Sequence, residues 1–539
     1  MGRITRTCSP SSLVIVIAAA LVSTGAAAKR IEPTALGAYV RARVADKASD
    51  SAIAVASYSA ALTMASDATM VAFRAYRAGV DGGDYALALR AAQALDRTGI
   101  VPPEARVLLY IAAVRDRDWR AATMRLDQIE DQDGFDFLAP LFRGWLVLAT
   151  GDKLPDSRTS ATAYVAENAI LLGIARGDVA DSSTAVKGLW SADSYRASTS
   201  RLAAAATLVA HKQRPAALAM LAGDDPTISA ARAAISKGKR LSGVVDSPAR
   251  GAAFVLARMA GDLMNQNAAR SAITLARFAT FADPASPNAK LVAATALGLA
   301  KRHTEALALV DLVATDPVYA DLARSLRIDR LEALGRVDEA YAEASSRAGR
   351  TTNDLTRLGD IEARRGRYVE AAAHYRRAVD ALGADKAGPQ LWLALGNALD
   401  LGGDWSSARP AFERALALSP DDPRLLNQLG YGMASRGQDI DRALVLLRKA
   451  DAAQPENAAI TDSIGWAEFR GGRIDRALEI LERARILDPT EPEIAEHLGD
   501  VYWAAGRRID ARYAWTAARE TALGISRTRI EGKIDRGLQ

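Results

Sequence analysis

The apolar positions of this chain fall at helical spacing, and in its last third they repeat with a fixed period. A Leu-Gly dipeptide, once Ile-Gly, stands at Leu358-Gly359, Leu395-Gly396, Leu429-Gly430, Ile464-Gly465 and Leu498-Gly499, so the glycine numbers step by 37, 34, 35 and 34. Each dipeptide is followed by an alanine: Ala371, Ala408, Ala443, Ala477 or Ala511. A second alanine comes two turns later, at Ala378, Ala415, Ala450, Ala484 or Ala518. Alanines at i and i+7 share one helix face, and the large residue one turn after the first (Tyr375, Phe412, Leu447, Leu481 or Trp515) shares it too. Each unit therefore predicts two helices, the first carrying the glycine and the second the alanines. Glycine within a helix costs about 1 kcal/mol against alanine. Five such glycines at one period predict close helix–helix approach at each, with the large residue filling the space they leave. Pro420, Pro455 and Pro489 close three of the units, since proline lacks an amide donor and clashes with the preceding turn.

The same period continues upstream in fainter form. Ala54, Ala88 and Ala122 recur at a constant step in three second-helix patterns, "SDSAIAVASYSAAL", "GGDYALALRAAQAL" and "DRDWRAATMRLDQI". Between about 150 and 250 the phase slips, with "GDKLPDSRTS" and "SKGKRLSGVVDSPARG" as expected longer loops. Phase returns at Ala272 and Ala279 with Pro284, then at Ala306 and Ala340. No alternating strand pattern occurs.

This pattern resembles the tetratricopeptide repeat, a helix-turn-helix unit of about 34 residues that stacks into a superhelix. The resemblance implies an all-α fold, a right-handed superhelical solenoid of antiparallel helix pairs. The expected organisation is a leader at 1–28, degenerate repeats at 29–150, irregular helical repeats at 151–250, degenerate repeats at 251–350, five well-formed repeats at 351–520 and a capping helix at 521–539. The cap expectation rests on Ile530 and Ile534, an i, i+4 pair among basic residues.

The leader sets the expected compartment. Arg3 and Arg6 precede an apolar stretch from Leu13 to Val22, and Ala26-Ala27-Ala28 offers a small-residue cleavage site before Lys29. The stretch is shorter than the roughly 20 residues that a membrane-spanning helix needs. Cys8, the single cysteine, lies before the stretch rather than after it, which argues against a lipoprotein. A cysteine-free mature chain in a bacterial periplasm is the expectation, with neither disulfide nor thiolate chemistry.

Charge changes the picture little. Removing Arg3 and Arg6 lowers the net charge from +5 to +3, and no long basic run marks a nucleic-acid surface. His211, His303, His374 and His497 are widely separated and lack metal-ligand spacing. No phosphate loop, nucleophile elbow or complete calcium loop is present, and the acidic run "EDQDGFD" reads as a solvated loop. No cofactor, metal or catalytic site is expected, and the chain reads as a non-enzyme.

In superhelices of the resembled kind, the first helix of each pair lines a concave groove. Helical spacing puts Asp462, Trp466, Phe469 and Arg470 on one face of one such helix. Arg424, Asn427 and Tyr431 hold equivalent places one unit earlier, and Glu496, Asp500 and Trp503 one unit later. Together they form a candidate partner-binding wall, since Trp, Tyr and Arg are enriched at binding hot spots. The alternative is that Trp466 and Trp503 pack against neighbouring helices. Glu362 and Glu468 stand where the family carries a bulky residue, and a carboxylate clamp of lysines and asparagines is not visible. The resemblance extends to exported bacterial repeat proteins, some of which partner envelope proteases or envelope-assembly machines. The expected function is a periplasmic scaffold or adaptor that binds a protein or peptide. An accessory role in envelope polysaccharide or outer-membrane export is the alternative. A cryptic enzyme would have to use Asp462, Glu496, Asp500 and His497.

Overall fold

The computed structural model describes residues 34–131, 134–152, 163–178, 195–223, 225–346 and 351–538. The expected leader lies outside the described residues, as do most of "GDKLPDSRTS" and Gln132 and Asp133 of the acidic run. Among the described residues there are 28 α-helices and no strand, consecutive helices packing as antiparallel pairs, so the fold is an all-α repeat solenoid. No helix among them is long and apolar enough to cross a membrane. The chain divides into two compact units, Met1–Arg330 and Leu331–Gln539.

The first unit opens with three regular pairs. They are α1 (Ala35–Lys47) with α2 (Ser51–Met64), α3 (Thr69–Gly82) with α4 (Tyr85–Thr98), and α5 (Pro103–Asp116) with α6 (Trp119–Glu130). Ala54, Ala88 and Ala122 are buried on α2, α4 and α6. Each of these helices starts on an aspartate that recurs at the same step as the alanines. Asp50 accepts from the Ile53 amide at 3.0 Å, Asp84 from Leu87 at 2.8 Å and Asp118 from Ala121 at 3.0 Å. An N-cap side chain satisfies an amide that the helix leaves orphaned.

Less regular helices follow: α7 (Ala139–Thr150), α8 (Ala163–Arg176), α9 (Tyr195–Ala210), α10 (Arg214–Met220) and α11 (Pro226–Ser236). The expected loop before Pro248 is present, since residues 237–247 contain no helix. Pairing resumes with α12 (Pro248–Asn265) and α13 (Ala269–Ala282), then α14 (Pro287–Leu299) and α15 (His303–Asp311), and Ala272, Ala279 and Ala306 are fully buried. This unit curls until its end meets its beginning. Arg302 donates to the Asp81 carbonyl at 2.9 Å, Arg277 to the same carbonyl at 3.3 Å, and the Ser51 hydroxyl to Glu305 at 3.2 Å.

Helix α16 (Ala320–Ala333) carries the division between the units, and α17 (Val337–Ser345) follows. Five regular pairs come next. The first helices are α18 (Thr352–Arg364), α20 (Pro389–Leu401), α22 (Pro423–Ser435), α24 (Ala458–Arg470) and α26 (Pro492–Ala504). Their partners are α19 (Tyr368–Leu382), α21 (Trp405–Leu418), α23 (Ile440–Ala453), α25 (Ile474–Leu487) and α27 (Arg508–Thr521). All ten marker alanines are fully buried. A methyl group placed on Gly359 would stand 2.5 Å from the Tyr375 ring, and one on Gly396 would stand 2.5 Å from Phe412. Gly430, Gly465 and Gly499 meet Leu447, Leu481 and Trp515 in the same way. The glycine penalty is thus offset by a large side chain seated on bare backbone. Pro420, Pro455 and Pro489 each stand two residues past the end of a second helix. The chain ends on α28 (Gly524–Arg536), which packs on α27 and buries Ile530.

Candidate functional site

The repeat sets a register on the first helices. The residue after each glycine and the residue three before it lie one turn apart on one face. From α20 to α26 the former column reads Asn397, Tyr431, Trp466, Asp500, and the latter reads Leu393, Asn427, Asp462, Glu496. The candidate wall is made of these columns and their flanks. The structure divides it into a sealed end, a knitted centre and an open side.

The sealed end lies on α26. Glu496 and Asp500 are buried, at 3 % and 5 % exposure, and both are taken by α28. Arg529 donates to both Glu496 oxygens at 2.8 and 2.7 Å, while Lys533 bridges Glu496 at 2.6 Å and Asp500 at 2.7 Å. Asp500 also accepts from the Trp515 indole at 2.9 Å. Burial alone would lift the Glu496 carboxyl, but Arg529 and Lys533 hold it below the ordinary range. Burial wins at Asp500, whose carboxyl is pushed up despite Lys533. Trp503 packs near the Trp515 ring at 5.4 Å, against Gly537, with the Arg508 guanidinium over it at 4.2 Å. These three candidates are therefore structural partners of α27, α28 and the residues after it, not an open wall.

The knitted centre joins three consecutive first helices. Asp462 on α24 pairs with His497 Nδ1 on α26 at 2.9 Å, and the Trp466 ring stacks on His497 at 4.1 Å between centroids, 16° from parallel. The Tyr431 hydroxyl on α22 donates to Glu493 on α26 at 2.7 Å, skipping α24 altogether. Burial disfavours a charge on His497, but Asp462, Glu493 and Asp500 outweigh it and raise the imidazole above its ordinary value. Burial, then Glu493, push the Tyr431 hydroxyl up. Its Nδ1 is taken by Asp462, and its Nε2 faces Glu493 at 4.0 Å rather than a nucleophile. Asp462, Glu496, Asp500 and His497 do come together, as a charge lock between repeats.

The open side covers α20, α22 and part of α24. Asn427 is half-buried, and its Oδ1 is enclosed without a hydrogen-bond partner; Asn397 Oδ1, Trp392 Nε1 and Trp466 Nε1 share that state. Arg470 is exposed at the end of α24, and Phe469 packs against Trp466 at 5.3 Å. Arg424 is exposed in the first turn of α22, where Asp422 holds it at 2.9 Å. Glu362 and Glu468, which depart from the family pattern, are both buried and paired with arginine, Glu468 with Arg448 at 3.0 Å.

Sequence reasoning missed Asn397, Trp392, Glu493, Arg529 and Lys533, and treated His497 as ordinary. A signal for several of them exists. Asp462 and His497, Glu496 and Arg529, and Asp500 and Lys533 are each separated by close to one repeat length in the sequence. Opposite charges one repeat apart face each other across neighbouring helices, so a search at the repeat period finds these pairs.

Residues 389–432 match one tetratricopeptide repeat family model, and residues 433–492 and 463–522 match another. No curated protein matches the chain. Among solved structures, residues 41 to the end of MamA from Desulfovibrio magneticus RS-1 are 23 % identical, over 32 % of this chain and 96 % of that one, with a TM-score of 0.28. A thermophilic TPR protein of Thermus thermophilus is 23 % identical over 34 % of this chain and 98 % of that one, TM-score 0.30. A chain of the APC/C hetero-tetramer Cut9–Hcn1 is 16 % identical over 98 % of this chain and 99 % of that one, TM-score 0.37. Scores this low carry no argument about function.

Proposed function

We propose that this member of the tetratricopeptide-repeat family is an exported, non-catalytic scaffold that holds a segment of a partner protein on the open face of α20, α22 and α24. Stacked repeats of this kind offer extended binding surfaces rather than catalytic frameworks. One observation carries the choice of face. Asn397, Asn427 and Trp466 stand on three consecutive first helices, and each has an enclosed polar atom without a partner. A buried acceptor or donor left unsatisfied costs about 1–3 kcal/mol. A peptide backbone laid across the face offers one donor and one acceptor per residue to the half-exposed Asn397 and Asn427 side chains, which turn to meet it. Arg424 and Arg470 flank the face and suit a partner with acidic groups at its edges. An envelope protease or a component of an envelope-assembly machine is the class of partner that an exported scaffold would meet.

The test is affinity capture from envelope extract with the tagged mature chain, beside an Asn397→Ala/Asn427→Ala variant of unchanged helicity. One protein enriched by the wild type and lost with the variant supports this reading. Retention of polysaccharide in place of protein moves the export-accessory role ahead. Export is checked separately by sequencing the purified protein's N-terminus, which is expected to begin at Lys29.

A further inference from the structure

A cleft of about 890 Å³ opens where the first unit curls back on itself, between α1, the start of α2 and α3 on one side and Arg270, Arg302 and Glu305 on the other. That volume lies within the range of small-ligand and peptide-segment sites. Its lining holds six cations and four carboxylates.

Three of the four carboxylates are already engaged. Asp46 accepts from the Tyr58 hydroxyl at 2.5 Å, and Asp50 caps α2. Glu305 takes two nitrogens of Arg302 at 2.8 and 2.6 Å. Arg277 adds a third bond to Glu305 at 3.3 Å. Asp81 is lifted by burial against the pull of four guanidiniums, those of Arg302, Arg77, Arg270 and Arg277. The cations are not all matched in return. Among the described residues Lys47, Arg74, Arg77 and Arg270 make no ion pair, and Arg74 Nε is enclosed with no hydrogen-bond partner. Crowding several guanidiniums around one half-satisfied carboxylate raises the local potential and favours an incoming anion. Beside the cleft, burial lowers Arg277 to about 10 against the pull of Glu305.

The occupant can be narrowed by what else lines the cleft. Val40 and Val44, 51 % and 65 % exposed, form an aliphatic shelf on α1. No aromatic ring is among the lining residues. Single-stranded nucleic acids are held by stacking on such rings, and sugar rings lay their apolar C–H faces on the same platforms. Guanidiniums pair bidentately with carboxylates, and an aliphatic shelf takes a Leu or Val side chain.

We propose that this cleft binds an acidic peptide segment of a protein partner, with its carboxylates on Arg74, Arg77 and Arg270 and an aliphatic side chain on Val40 and Val44. The site lies wholly within the first unit and is independent of the face on α20–α24.

The test uses the full mature chain and a short fluorescent peptide of repeating Glu-Asp-Leu, read by anisotropy. Binding is expected to weaken as salt rises. Arg74→Gln/Arg77→Gln is expected to weaken it roughly tenfold or more, the scale of one lost charge-assisted bond. Lys47→Gln, on an exposed position, is expected to weaken it by a smaller factor and keeps the test meaningful if the double variant misfolds. Absence of binding, wild-type affinity in the Lys47 variant and in a folded Arg74/Arg77 variant, or equal affinity for a Lys-Leu peptide overturns the proposal. Stronger competition by polygalacturonate than by unlabelled peptide overturns the assignment to a peptide.

Discussion

The two units solve the same packing problem differently: the second always takes the large residue from the second helix, whereas the first varies its source from pair to pair. In the second unit the first helix gives up its side chain, as at Gly359 or Gly396, and the second helix supplies Tyr375 or Phe412. Counting back from the marker alanine, the place of Gly359 is held in the first unit by Ala42, Tyr76 and Tyr110, and the place of Tyr375 by Tyr58, Ala92 and Leu126. All six are buried. The α1–α2 pair thus follows the second unit, the α3–α4 pair reverses it with Tyr76 on the first helix and Ala92 on the second, and the α5–α6 pair carries two large residues. The large residue at a crossing can thus come from either helix, and the α5–α6 crossing holds two. The units also differ in charge. The second matches its buried carboxylates with Arg529 and Lys533, whereas the first leaves cations unmatched around its cleft.

The largest expected effect is on that charge matching. Lys533→Ala leaves Glu496 and Asp500 buried without their shared cation and is expected to cost roughly 3 kcal/mol or more. Calorimetry should show the loss, and Lys533→Arg should recover part of it. Next comes Gly396→Phe, which places a ring where Phe412 already sits and is expected to cost about 2–3 kcal/mol. Adding Phe412→Ala recreates the α3–α4 arrangement and should regain much of the melting temperature. If the double variant melts no higher than the single one, the volume argument fails. Asp84→Ala removes a cap and is expected to cost about 1 kcal/mol by urea unfolding.

The smallest effect is one of pH. His497 is raised in the folded state, so its pairing stabilises fully below the ordinary histidine value and is lost as pH rises through the raised one. The melting temperature should therefore fall from pH 6 towards alkaline pH, and His497→Gln should flatten that slope.

The period, the close approach at each glycine and the buried alanines were legible in the sequence because each depends on residues within one repeat. The reversed α3–α4 pair was not, since Tyr76 with Ala92 carries no dipeptide signature. Of the candidate wall, the face itself was legible from helical spacing. Which parts of it are open was not, because that depends on Arg529 and Lys533 a full repeat away. The cleft was further from reach. It depends on a curl that brings Asp81 to Arg302, 221 residues on in the chain.

The bond from Tyr431 to Glu493 bears on how the array comes apart. A solenoid whose repeats touch only their neighbours behaves as a one-dimensional chain, free to fray from its end one repeat at a time. A link that skips a repeat removes that freedom, because α26 cannot leave without releasing α22, and α24 is held between them by Asp462 and Trp466. The last three repeats should accordingly melt as one cooperative block, and under tension they should yield in a single step rather than as a staircase.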